Sequence, residues 1–264
     1  MRAGLGERPR AERLGWSLAG ALLLLGAWAL AAGHQPEVVL PSPGRTAQAV
    51  IGLAQDGVLA DSLLTTLQRA GIGVGIALIA GGLWGAAAGR YELVAAMTQP
   101  GLSALMALPP VVIVVLALIW LGTGGRVAIF VVALVALPLI VASVREAIRN
   151  IDRDLIEVVD VFAVPRGRMV RHLIVPGIAS PVLATTSVAV GQSLRVAVMA
   201  ELLAAGSGVG FEVARARTNI ETADVFAWAA VLVASVLAVE FIVLQPLTRR
   251  ALRWRHDTTR PPGT

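Results

Sequence analysis

The chain has 264 residues, 56% of them hydrophobic and only 15% charged, with a net charge of +5 and a mean hydropathy of +0.77. A soluble domain carries about a quarter charged residues, so these proportions exclude an ordinary soluble protein and indicate a polytopic membrane protein. All 22 basic residues are arginine, which excludes a Walker A lysine and Schiff-base chemistry; cysteine is absent, which excludes thiolate chemistry and disulfides; and His34, His172 and His256 are too scattered for a metal site.

In chain order, six apolar stretches are long enough to cross about 30 Å of hydrocarbon: Leu14–Gly33, Ala70–Gly89, Leu102–Leu121, Val127–Val144, Ile178–Leu203 and Val225–Leu244. The expected fold class is all-α, a single transmembrane domain over 1–264 with about six helices in the lipid bilayer. Its flanks are an N-terminal segment 1–13, a polar loop 145–177 and a tail 245–264. Sixteen arginines fall in segments on the N-terminal side of the membrane and five on the other, with Arg195 inside a span. The positive-inside rule then puts both termini in the cytoplasm. The same distribution accounts for the high isoelectric point through topology, so no nucleic-acid partner is expected. The first stretch has a basic start and an Ala-Leu-Ala near its end, as a cleavable signal peptide does. Its apolar run of about 20 residues exceeds the usual h-region, which favours a retained anchor.

Span two carries the small-xxx-small pairs Gly71/Gly75, Gly81/Gly85 and Gly85/Gly89, which let helix backbones approach, within one subunit or between two. The most informative segment is the charged interruption from Arg145 to Pro176, with six arginines and five acids. Asp152 and Asp154 suit the first turn of a helix, and Leu155, Val159 and Phe162 form an apolar stripe at i, i+4, i+7. Pro165 and Gly167 are expected to break the chain, with a short helix from about Arg168 to Val175 ending before Pro176. Two short amphipathic helices can present a knob to a partner's groove, or rest among lipid headgroups.

Within this segment Glu157-Val158-Val159, Ala163, and Leu173-Ile174-Val175-Pro176 resemble the EAA loop of ABC-importer permeases, with alanine at the usual glycine position. Leu40-Pro-Ser-Pro43, Ser62-Leu-Leu, Leu108-Pro-Pro, and Ala200-Glu-Leu-Leu followed by Gly206-Ser-Gly-Val-Gly210 are similar to the nitrate/sulfonate/taurine branch. The resemblance implies a homodimer working with two cytoplasmic ATP-binding subunits and an external solute-binding protein. The permease itself would hold no cofactor and carry out no catalysis. It further implies that Glu157, Val158, Val159, Asp160, Ala163, Gly167 and Pro176 belong to a coupling helix seated in the ATPase.

Arg195 lies inside span five, where an arginine costs about 2.5–3.5 kcal/mol and normally faces a cavity or a partner. Gln192 shares its face at i−3. These two, with Glu201 near the outer end, are the candidate translocation-path residues for a small anionic solute. The alternative for Arg195 is a structural ion pair, with Glu240 or with Glu201 of the partner subunit. For Glu201 the functional expectation is a gate or a binding-protein contact, and the plain one a solvated helix end. The Gly206–Gly210 run lacks the spacing of a phosphate loop and is expected to be a flexible external loop. The resulting function is the permease subunit of an ATP-driven importer in the bacterial inner membrane. A secondary transporter or a membrane scaffold subunit is the other reading.

Overall fold

Prolines and glycines set the helix boundaries of this computed structural model, which describes residues 10–152, 154, 157, 161, 162, 164–244 and 246. The elements are α1 (Arg10–Ala32), α2 (Pro43–Gln55), α3 (Val58–Arg90), α4 (Glu92–Ala107), α5 (Pro110–Leu121), α6 (Gly125–Arg149), α7 (Arg166–Met169), α8 (Val175–Ala204), α9 (Val209–Thr218) and α10 (Thr222–Ala238). The fold class is all-α. Pro43 opens α2 behind Ser42, whose hydroxyl accepts from the Arg45 N–H at 3.3 Å. Gly57 and Gly122, at φ 74° and 71°, supply the left-handed turns after α2 and α5.

Four described segments are long and apolar enough to cross a membrane, and a bent pair makes five. That pair is the first departure from expectation. The stretch Leu102–Leu121 is not one straight span, because α4 and α5 meet at an angle of 103°. Leu108 precedes Pro109, which forces it out of the helical region to ψ 127°, and Pro109 follows at ψ 134°. Two consecutive prolines also lack the N–H groups that would carry the ladder across.

The second departure concerns Pro176 and Gly167. No helix ends before Pro176; a continuous helical run extends from Gly167 to Ala204. Val170–Ile174 form a π turn joining α7 to α8, and Pro176 sits in the first turn after it. The wider turn accommodates a ring with no N–H to donate. Gly167 lies inside α7 rather than breaking the chain.

The chain divides into two compact units. The first comprises the described residues up to Leu59 with Arg215–Val231. There the Trp28 indole donates to the Pro41 carbonyl at 3.1 Å and stacks on Phe226 with centroids 5.9 Å apart. The second unit runs from Ala60 to Ala214 and from Leu232 onward. Its core is the α3, α5, α6 and α8 contact around Val114, Val131, Leu194 and Ala197, all at most 2% exposed.

Glycine makes the α3–α6 contact possible. A Cβ at Gly73, Gly85 or Gly89 would meet Val132, Val144 or Ile148 at 2.6, 2.8 and 3.0 Å. The pairs Gly81/Gly85 and Gly85/Gly89 therefore serve packing within the chain. At Gly71 and Gly75 a Cβ would have no described atom of a neighbouring element within 4 Å.

Candidate functional site

Alternate faces of α8 have opposite fates. Ala189, Ser193, Leu194, Ala197, Ala200, Glu201 and Ala204 are buried, whereas Gly177, Ala184, Val188, Gln192, Arg195 and Leu203 form an exposed stripe at spacings of seven, four, four, three and eight. Gln192 and Arg195 share that stripe as expected. Arg195 makes no hydrogen bond or ion pair among the described residues. Of the four long apolar segments, the one containing α8 is the least enclosed.

Toward the α7 end of the stripe, α6 and α8 are joined by hydroxyls. Thr185 donates to the Ser143 hydroxyl at 2.9 Å, and Ser143 donates to the Pro181 carbonyl at 3.3 Å. A cleft of about 700 Å³ opens there, lined by Glu146, Asn150, Asp152, Ser180 and Ala184 among others. Hydroxyl bridges of this kind hold helices together where burial alone drives little association.

Nearby, the ends of α3 and α6 frame a second cleft of about 490 Å³ lined by Arg90, Glu92, Arg149 and Glu157. Glu157 is exposed there, and Asp152 accepts from the Asp154 N–H at 3.0 Å, the expected first-turn contact. Val161 and Phe162 stand 81% and 75% exposed. Of the other expected coupling residues, Val158, Val159, Asp160 and Ala163 lie outside the described residues, while Gly167 and Pro176 fall in the helical run described above.

Glu201 is not the solvated helix end that was the plain expectation for it. It joins neither Gln192 and Arg195 nor solvent, but is fully buried at the far end of α8. Its Oε1 accepts from Arg69 Nη1 at 2.8 Å, and its Oε2 from the Thr66 hydroxyl at 2.7 Å and the Gly210 N–H at 3.2 Å. Thr66 in turn accepts from the Val209 N–H at 2.9 Å. Arg69 also donates from Nη1 to the Ser207 carbonyl and from Nη2 to its hydroxyl, each at 2.7 Å. A buried carboxylate requires such a set of donors, because an unpaired one is very costly. The glycine-rich run is thus bound rather than flexible: Gly208, Val209 and Gly210 are buried. Thr66 and Arg69 carried one sequence signal, their i, i+3 spacing on one helix face. Nothing in the sequence tied that face to a residue 132 positions away.

Residues 73–254 match the family of binding-protein-dependent transport system inner membrane components. The chain belongs to that family. The permease is 28% identical over 237 residues to the putative aliphatic sulfonates transport permease protein SsuC of Escherichia coli K12, covering 88% of each chain. It is 24% identical to the taurine transport system permease protein TauC of the same organism, over 96% of this chain and 98% of that one. It is also 30% identical to the riboflavin transport system permease protein RibX of Chloroflexus aurantiacus, over 92% of each. The fold matches an inward-facing MetNI methionine ABC transporter at a TM-score of 0.60 and 17% identity, over 76% of this chain and 99% of that chain. The permease is a multi-pass inner-membrane protein, and it is similar to permeases named for sulfonate, taurine and nitrate transport.

Proposed function

We propose that this permease forms the translocation path of an ATP-driven importer for a small organic or inorganic anion such as a sulfonate, taurine or nitrate. An external binding protein would deliver the solute, and separate cytoplasmic ATP-binding subunits would hydrolyse ATP. Both termini and the 145–177 loop lie in the cytoplasm, as the arginine distribution favours. The Glu201 end of α8 is then external.

The observation that carries this reading is Arg195 on the exposed stripe of α8 with no hydrogen-bond or ion-pair partner among the described residues. A lipid-facing arginine at that depth costs about 2.5–3.5 kcal/mol, so the stripe faces water or protein. A second copy supplies both when two stripes face each other across a path, which makes the functional unit a homodimer. Gln192 adds hydrogen bonding one turn away. The stripe offers a cation and no aromatic ring, which favours a compact anion over a flavin-like heterocycle that needs stacking.

Coupling runs through the 145–177 loop. Glu157 lines one cleft with the ends of α3 and α6, so a push on the loop reaches both helices. Val161 and Phe162 give the apolar knob that an ATPase groove receives. Glu157, Val158, Val159, Asp160, Ala163, Gly167 and Pro176 belong to this element.

The test is uptake into proteoliposomes holding the permease, its cognate ATP-binding subunits and the binding protein. Arg195→Ala is expected to cut ATP-dependent uptake about tenfold or more, with Arg195→Lys retaining part of it. Unchanged uptake in both variants rejects the path role. Uptake that needs an ion gradient instead of ATP identifies a secondary transporter.

A further inference from the structure

We propose that Thr66, Arg69 and Glu201 form a positioning device. It locks α3, the external end of α8 and the 205–210 loop into one rigid body, so that Arg195 keeps its place relative to α3 throughout the transport cycle. This rests on the import reading above, since it assigns the cluster a part in moving the path-lining helix.

Three observations converge. First, the cluster is closed: the Glu201 carboxylate receives three hydrogen bonds from Arg69, Thr66 and Gly210, and Thr66 both donates and accepts. Pulling α3 from α8 would strand a carboxylate that is fully buried and a guanidinium whose side chain is 14% exposed. Second, the backbone is moulded to the charge. Gly208 sits at φ 99°, where a Cβ would lie 2.5 Å from the Glu201 carboxylate, and a Cβ on Gly210 would overlap the Val198 carbonyl. Third, a separate tie holds the same place. The Gly124 N–H donates to the Ala204 carbonyl at 2.6 Å, and Gly125 at the start of α6 packs on the Arg69 guanidinium, with 2.5 Å from its would-be Cβ to Nε.

The opposite end of α8 is built differently. A π turn over Val170–Ile174, Pro176 and the internal Pro181 interrupt its hydrogen-bond ladder. Bending there, inward of Arg195, lets the inner part of α8 move with the coupling loop while the external end and Arg195 stay in place. Arg195 lies six residues inward of Glu201, about 9 Å along the helix. Its position is therefore fixed by a charge it never touches, which makes Glu201 a positioning residue outside the path.

The absence of cysteine from the sequence allows a clean test. The triple variant Arg69→Cys, Ser207→Cys, Glu201→Gln removes both charges together, so that neither is left buried alone. It is assembled with the ATP-binding subunits and binding protein in proteoliposomes, and uptake is measured before and after treatment with a short bifunctional thiol crosslinker. Before treatment, uptake is expected to fall about tenfold while ATP hydrolysis by the assembled complex persists, a loss of coupling that follows from misplacing Arg195. Crosslinking, which restores the tie covalently, is expected to recover most of the uptake and the ratio of solute moved to ATP hydrolysed. Full uptake without the crosslinker overturns the proposal, because the tie is then dispensable. So does uptake that stays low or falls further on crosslinking, because the external end must then open during the cycle. Absence of ATP-dependent uptake in the unaltered transporter is a separate result, and it rejects the import reading itself.

Discussion

Replacing Gly85 by alanine is expected to force α3 away from α6. A Cβ at Gly85 lies 2.8 Å from the Val141 carbonyl oxygen and from Val144 Cβ, and 3.2 Å from Val141 Cα. Ordinary contact begins at 3.4 Å, so the helices must part locally by about 0.6 Å. The first obstacle is backbone, which has no rotamer to yield, and the next is a β-branched side chain held to one rotamer in a helix. Such overpacking costs about 1–3 kcal/mol. Alanine also gains about 1 kcal/mol of helix propensity over glycine, which would mask part of the loss. Gly82 provides the correction. It lies on the same helix three positions earlier with nothing within 4 Å of its Cβ position, so Gly82→Ala gains the propensity without the clash. The difference between the two variants isolates the steric cost. At about 2–4 °C per kcal/mol, Gly85→Ala should unfold roughly 2–12 °C below Gly82→Ala in the same detergent. Equal midpoints, or a lower midpoint for Gly82→Ala, would refute the claim that glycine sets the α3–α6 distance.

Three other substitutions separate stability from coupling. Phe162→Ala removes an exposed ring, so the unfolding midpoint should not move, while affinity for the ATP-binding subunits should drop about tenfold, as truncation of an interface anchor does. Unchanged association in a pull-down titration would discard the knob. Glu201→Ala should lower stability by about 3 kcal/mol, the low end for a broken buried pair because Arg69 is partly exposed, and Thr66→Val by about 1–2 kcal/mol through its lost hydrogen bonds. Detergent unfolding midpoints in the reverse order would contradict the hydrogen-bond assignment.

The sequence discloses helices and their ends where one residue's chemistry decides the matter. Arginine on one side of the apolar stretches, Pro43 behind Ser42, and Asp152 within the polar loop each act within a few residues of themselves. Pattern reading becomes less secure where two local rules compete. At Leu108-Pro109-Pro110 the hydrophobic pattern runs on, yet the backbone cannot follow it, and a span bends by 103°. At Pro176 the local rule ends a helix, but a π turn absorbs the missing donor and the helix continues.

The two charges inside α8 show why the site was only half legible. Hydropathy gives Arg195 and Glu201 the same status, an ion in an apolar helix, and the six-residue offset already turns them to different faces. Which face is buried depends on α3 and α6, and so on glycines at 73, 85 and 89 that let those helices close together. Once they close, Glu201 must find a cation, and Arg69 is in reach at 2.8 Å. Arg195 finds no partner among the described residues. A buried carboxylate with three donors is committed to holding structure, whereas an exposed guanidinium in a membrane helix is still available to a ligand or a partner. The division between fixed and available charge is therefore set by packing, which commits Glu201 to holding structure and leaves Arg195 available for the proposed path.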